Sequence, residues 1–430
     1  MKERLINSHG KLRLTGTMCI PGDKSIAHRA LLFGSLARGT TFVRGVPWGE
    51  DIDFTISTLR ALGVSVERLE DAISITGIGN NRFRTPEIPL DCQGSGTTFR
   101  LLLGLLAGRV DEAILTGNSA LRSRPMNRVV DPLRSLGASI EYLEEEGKAP
   151  IRIRGVVPLR PGRVELEVSS AQVKTAVILA AMGVKSGRTT IAGAIHSRDH
   201  TERLLPRMGG SVVATGNSIV VEPCELSAIA VSIPGDTSTA AVFAAGAALG
   251  RDSDLTIVGV GINPSRMGFF EALSWMGTRV DIEETGEDGR EPVGTIRIRW
   301  APLKAITVHE EAVPSLVDEV TLLMLLGTQA EGTTEIRGIG ELRFKETDRL
   351  RCAADGLTSM GANIETGPDW AKIHGPTPLK GAQLNPEEDH RMSMMFTLAS
   401  HLATGKSRVL EVTCETKSCP NFYEMLESVS

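Results

Sequence analysis

The sequence predicts an α/β chain of two similar domains, each built from three βαβαββ units. Two observations carry this. First, Ile20-Pro21-Gly22-Asp23-Lys24-Ser25 returns as Ile233-Pro234-Gly235-Asp236-Thr237-Ser238. Each copy is a Pro-Gly turn, a helix start, and then an apolar Ala/Leu-rich run with the character of a buried helix. Second, an apolar helix, a Gly-containing turn and a β-branched strand recur at Ala30–Val46, Leu101–Thr116, Thr175–Ala192, Ala240–Val258, Thr321–Ile336 and Met392–Val412. A phrase repeated at a regular interval is the signature of a repeated supersecondary unit.

A second phrase follows most of these, a helix ending in Leu/Met-Gly and then a short strand. It occurs at Leu59–Val64, Leu133–Ala138, Leu205–Gly209, Leu273–Gly277 and Leu357–Ala362. Glycine just past a helix end is the expected left-handed stop. The sixth copy, Phe422–Val429, is cut short by the C-terminus. The Pro-Gly turns mark crossovers, and the first comes so early that the N-terminal strand is expected to join the later half. The expected domains are residues 1–20 with 234–430 (N-terminal strand plus repeats four to six) and residues 21–233 (repeats one to three). Lys24, His28 and Arg29 of the first copy become Thr237, Ala241 and Val242 in the second. By this reading one half keeps the cations and the other mainly the scaffold.

Composition narrows the function classes. With 430 residues, each half can bury a full core. Aromatics are 4% and the net charge is −5, so neither base stacking nor general polyanion binding is favoured. Any anion site must come from local clustering of basic side chains. No run is long and apolar enough to span a bilayer, and residues 1–20 lack an apolar signal core. The six cysteines show no paired-ligand spacing, which predicts reduced thiols in a cytoplasmic protein without a metal.

The polar residues form a recurring pattern. One cluster sits at the start of the first helix of each unit: Lys24-Ser25 with Arg29, Gly94–Thr98 with Arg100, Ser169–Gln172 with Lys174, Asp236–Ser238, Asp318-Glu319, and Asp389–Arg391. Another precedes the second helix: Arg122 and Arg124, His196–Arg198, Lys345-Glu346 with Arg349, and Lys417. Free N–H groups and the positive dipole end make a helix start an anion site, and Arg adds bidentate recognition. Two such faces opposed across a hinge would enclose small anionic ligands and exclude water on closing.

Each cluster alone has a plainer explanation. Ser, Thr and Asp at helix starts are usually caps. Gly94-Ser95-Gly96 lacks the lysine of a P-loop. Lys345–Arg349 alone reads as a solvated helix face. His196 and His200 have a metal-compatible spacing without supporting context. Met392–Met395 reads as core packing and Cys414 and Cys419 as inert thiols. Recurrence at equivalent repeat positions is what favours a site.

Together, several stretches resemble the 5-enolpyruvylshikimate-3-phosphate synthase family, in its bacterial rather than plant wording. They are Pro21–Arg29, Gly96-Thr97 with Arg100, Arg124-Pro125-Met126, Ser170–Lys174, Ser197–Glu202, Pro234–Asp236, Asp318-Glu319, Leu342–Leu350 and Asp389–Met392. The resemblance implies an enolpyruvyl transferase-like fold of two domains closing like a clamp. It further implies transfer of the enolpyruvyl group of phosphoenolpyruvate to the 5-hydroxyl of shikimate 3-phosphate, with release of phosphate and without a metal or organic cofactor. Carried over residue by residue, Lys24, Ser25, Arg29, Ser169, Ser170, Gln172, Arg198, Asp318 and Lys345 would hold shikimate 3-phosphate. Lys24, Gly96, Arg124, Gln172, Arg349, Arg391 and Lys417 would hold phosphoenolpyruvate. Asp318, Glu346 and Lys24 would be catalytic, the two acids doing the proton work. The implied partners are these two small substrates only, with no nucleic acid or membrane, and a monomer is expected.

Three departures from the family pattern stand out. Gln93-Gly94 replaces the usual Gly-Asn, Cys419-Pro420 replaces Phe-Pro, and Gly96 leaves room where some resistant members carry Ala. Inhibition by glyphosate is therefore expected from Gly96, while Gly94 removes one side chain that would touch such a mimic. Two rival readings remain. A UDP-N-acetylglucosamine enolpyruvyl transferase would carry a reactive Cys within 117–123, and none is there. A non-catalytic anion-binding repeat protein would have no need of Asp318 and Glu346.

Overall fold

A computed structural model describes residues 3–79, 81–155, 158–288, 290–411 and 414–430. The chain divides into two compact units, Gly22–Ile233 with Asp288–Glu291, and Met1–Pro21 with Pro234–Glu287 and Pro292–Ser430. This grouping moves residues 288–291, the tip of a long hairpin, out of the segment 234–430 expected from sequence. The hairpin is two paired strands, Arg279–Asp288 and Glu291–Arg299.

In the first unit, each of three helices is buried on nearly every side: Lys24–Leu36, Gly96–Leu106 and Ala171–Ala181. Helices apolar all round belong in a core rather than on a surface. Small residues let two of them touch. A Cβ on Gly104 would lie 2.1 Å from the carbonyl oxygen of Ala176. Three four-stranded sheets surround these helices. In each, the strand after the buried helix pairs in parallel with an edge strand and antiparallel with the second strand of a hairpin. The sheet around Thr40–Arg44 takes its parallel edge from Ala230–Ser232, at the far end of the unit's sequence. Gly22 marks the crossover tightly, since a Cβ there would stand 1.9 Å from the Gly45 carbonyl oxygen.

The second unit repeats the plan with buried helices Thr237–Leu249, Val320–Gly327 and His390–Leu402. The strand Asp254–Gly261 takes its parallel edge from Thr15–Cys19. The last sheet is completed differently. Glu3–His9 runs antiparallel to Thr404–Leu410 over seven paired residues, filling the place of the strand that the sixth repeat lacks. Met392, Met394 and Met395 are buried in this core. Cys92 and Cys419 are also buried, and burial raises both thiols, Cys419 to about 12. Such thiols are inert. The side chain of Cys414 lies outside the described residues. Among the described residues no helix is long and apolar enough to cross a membrane.

Candidate active site

The helix starts are built as caps. Asp23 accepts the amide of Ile26 at 2.9 Å. Asp236 accepts those of Ser238 and Thr239, and Asp389 those of Arg391 and Met392. Ser95 and Ser170 do the same for Thr98 and Val173. The capping explanation therefore holds for these residues, Ser170 included. It does not extend to Lys24, Ser25, Gly96 or Gln172.

In the first unit, Lys24 Nζ donates to Asp51 Oδ2 at 2.8 Å, with both side chains largely buried. Arg29 is 2% exposed. Its Nε donates to Thr201 Oγ1, its Nη1 to the Ser25 carbonyl, and its Nη2 to Thr175 Oγ1 and the Ala171 carbonyl. It thus joins helices Lys24–Leu36, Ala171–Ala181 and His200–Arg207. Burial lowers its pKa to about 10, and the nearby Arg198 adds to this. Gln172 is held at both ends, Oε1 accepting from Arg100 Nη1 at 2.6 Å and Nε2 donating to Thr97 Oγ1 at 2.9 Å. Ser169 Oγ donates to the His196 carbonyl. Arg124 and Arg100 converge on Gly96, where a Cβ would stand 2.7 Å from Arg124 Nη1 and 3.1 Å from Arg100 Nη1. Two guanidinium groups beside the first residue of a helix form an arrangement suited to an anion.

His28 departs from the expectation that it is one of the retained cations. It is fully buried, with Nδ1 2.8 Å from Thr55 Oγ1. Burial lowers its pKa to about 3, so it is neutral near pH 7. His200, read as a candidate ligand, has Nδ1 2.7 Å from Glu291 Oε1. Among the described residues no group of three or more His, Cys, Asp or Glu is placed to hold a metal ion.

In the second unit Asp318 gathers three cations. Its Oδ1 is 3.3 Å from Lys345 Nζ and 3.2 Å from Arg349 Nη1, and its Oδ2 is 3.7 Å from Arg391 Nη2. Arg349 also reaches Glu346 Oε2 at 2.5 Å and Asp389 Oδ2 at 2.7 Å. Burial pulls the Arg349 pKa down, but Asp389, Glu346 and Asp318 outweigh it and hold the group above its ordinary value. Lys345 and Glu346 do not lie on a solvated helix face. They lie between a 3-10 turn, Gly340–Phe344, and the helix Arg349–Ser359, which Asp348 caps. Lys417 Nζ donates to the Glu388 carbonyl at 2.7 Å, next to the cap residue Asp389. Glu387 and Glu388 are both left-handed, at φ +52° and +59°, a cost that recurs at functional turns.

Asp51 and Arg266 escape sequence reading, and for Arg100, Thr97, Glu202 and Glu319, which the clusters and motifs include, the contacts do. Asp51 pairs with Lys24, Arg100 and Thr97 orient Gln172, and Glu202 meets Lys174 in a buried pair at 2.7 Å. In the second unit Arg266 Nη2 donates to Ser238 Oγ at 2.6 Å. Ser238 Oγ also donates to Glu319, whose Oε1 lies 3.5 Å from Arg391 Nη1. One signal could have found Asp51. Lys24 and Asp51 are 27 residues apart, as are Asp318 and Lys345, so a cation and a carboxylate at this spacing pair in both halves.

A two-unit chain of βαβαββ repeats with cations at its helix starts defines an enolpyruvyl transferase-like class. The fold agrees: a solved structure of the enolpyruvyl transferase NikO from Streptomyces tendae superposes with a TM-score of 0.80 at 19% identity, covering 100% of this chain and 97% of that one. Within that class the match is closer to one family. The model for EPSP synthase (3-phosphoshikimate 1-carboxyvinyltransferase) matches residues 9–426, and the chain belongs to this family. A 3-phosphoshikimate 1-carboxyvinyltransferase of Alkaliphilus oremlandii is 41% identical over 418 residues, 97% of each chain. That of Gloeobacter violaceus is 42% identical over 420 residues, again 97% of each. The solved EPSP synthase of Acinetobacter baumannii has a TM-score of 0.87 at 34% identity, covering 100% of this chain and 98% of that one.

Proposed function

We propose that this chain transfers the enolpyruvyl group of phosphoenolpyruvate to the 5-hydroxyl of shikimate 3-phosphate, a step of aromatic biosynthesis. The observation that carries the reading is the paired arrangement of cations in a chain of this family, Arg100 and Arg124 at Gly96 in one unit and Lys345, Arg349 and Arg391 around Asp318 in the other. A reaction that brings a phosphate and a carboxylate to a second phosphorylated substrate needs such a field, because the anions would otherwise repel one another.

In this reading Lys24, Ser25, Arg29, Ser169, Ser170, Gln172, Arg198, Asp318 and Lys345 bind shikimate 3-phosphate. Lys24, Gly96, Arg124, Gln172, Arg349, Arg391 and Lys417 bind phosphoenolpyruvate. The hydroxyl adds to C2 of the enol while a proton is delivered to the methylene carbon C3. A tetrahedral ketal results. The bond from C2 to the phosphate oxygen then breaks, and a proton leaves C3 to regenerate the double bond. Asp318 takes the proton of the attacking hydroxyl, which departs with the leaving phosphate, and Glu346 gives and takes back the proton at carbon. No metal or organic cofactor enters the scheme, since every step is a proton transfer or a C–O bond change. The reading includes a cytoplasmic monomer whose two units draw together when the ligands bind.

The reversible proton at carbon supplies the test. In D2O, proton NMR should show the enolpyruvyl ether forming with deuterium in its vinylic positions. An ether formed without any deuterium would reject the addition–elimination scheme, and no ether would reject the transfer.

A further inference from the structure

Asn118 opens the short helix Ser119–Arg122, and its Oδ1 accepts the amide of Leu121 at 3.0 Å. Its own backbone N–H donates to the Gln93 carbonyl at 3.0 Å. The loop that carries Arg124 is thereby tied to the turn before the helix Gly96–Leu106. With Oδ1 committed to the cap, Nδ2 must be the donor end of the side chain. Among the described residues this Nδ2 has no hydrogen-bond acceptor. It stands 3.3 Å from the point where a Cβ on Gly94 would lie. The half-buried amide therefore covers the space that Gly94, lacking a side chain, leaves vacant. Gln93 does not compete for that space. Its backbone is left-handed at φ +46°, and its side-chain amide is turned to Asp91. Two residues further on, the guanidinium groups of Arg124 and Arg100 face Gly96.

We propose that Asn118 is a ligand-binding residue of this site, its Nδ2–H donating to an anionic oxygen of phosphoenolpyruvate held at Gly96 and Arg124. The assignment rests on the proposed function. A donor fixed in direction by a second hydrogen bond from the same side chain loses little freedom on binding. The amide lies at Gly94, and the two guanidinium groups lie two residues further along the same turn, at Gly96.

Asn118→Ser and Asn118→Asp both keep an oxygen for the cap, so a residue that only caps tolerates either. A ligand-binding amide tolerates neither. The expected result is a KM for phosphoenolpyruvate raised about tenfold or more in each variant, as for a hydrogen bond lost to a charged acceptor. The rise is larger for Asp, which adds a negative charge. The KM for shikimate 3-phosphate and the melting temperature stay near those of the unaltered protein. Adding Gly94→Asn to Asn118→Ser returns an amide from the other side of the gap and recovers most of the loss. Turnover with an unchanged KM for phosphoenolpyruvate in both single variants overturns this assignment alone. An unaltered protein that neither binds phosphoenolpyruvate nor releases phosphate overturns the assignment and the proposed function together.

Discussion

At Gly96 the identity of one residue is set by two others. A methyl group there would press on Arg124 Nη1 at 2.7 Å and on Arg100 Nη1 at 3.1 Å. Gly96→Ala is therefore predicted to push the Arg124 guanidinium aside. Its KM for phosphoenolpyruvate should rise about tenfold, as for one weakened charge-assisted hydrogen bond, while that for shikimate 3-phosphate stays within twofold. Glyphosate, if it occupies the same space, should lose affinity in the same variant, which inhibition at fixed substrate will show. At Glu346 the prediction concerns rate. Glu346→Gln keeps size and most contacts but not the proton, and kcat should fall at least about a hundredfold. Near-normal turnover removes Glu346 from the mechanism. The types and order of these residues were legible in the sequence, but their partners were not. Asp51, Arg100 and Arg266 reach their contacts across 27, 72 and 28 residues of chain, and no local motif marks such pairs.

At the scale of the element, the helix Lys24–Leu36 carries a titration. His28 inside it is held neutral by burial, with its folded pKa lowered from 6.5 to about 3. The unfolded chain takes up a proton as pH falls through 6.5 and the folded chain does not, so acid destabilises. The effect is absent above pH 7 and grows as pH falls toward 3. Between pH 7 and 5, His28 should remove about 2 kcal/mol of stability. Urea denaturation of the protein and of His28→Gln at both pH values checks this, and equal losses would contradict it. Helix contact is equally specific at Gly104. Gly104→Ala would drive a methyl into the Ala176 carbonyl and should cost about 1–3 kcal/mol. The buried helices and their glycine stops were legible because an Ala/Leu run followed by Gly is a strong local signal. The region 345–348 was not. Its alternating charges suit a helix, yet Asp348 caps Arg351 and starts the helix only at Arg349.

At the scale of the whole molecule, the repeat is closed by borrowed strands. Ala230–Ser232 completes the first repeat's sheet, Thr15–Cys19 the fourth, and Glu3–His9 the sixth. The six-fold phrase was readable from spacing. Which short strand completes which sheet was not, because a segment of three to seven residues carries little pairing information of its own. The hairpin tip at 288–291 groups with residues 22–233 for a related reason: that grouping depends on tertiary contacts such as His200 with Glu291, which local pattern does not encode. Of the residues named in the proposed scheme, Gly96 and Arg124 belong to one unit and Asp318 and Glu346 to the other. In the proposed scheme phosphate leaves only from the ketal formed when the hydroxyl of shikimate 3-phosphate has added to C2, so both substrates must be present before phosphate is released. The measurement to make is phosphate release on mixing the protein with phosphoenolpyruvate and shikimate 3-phosphate, omitting each in turn. Steady release with both, and none when either is left out, is the predicted result. Release from phosphoenolpyruvate alone, or no release with both, would contradict it.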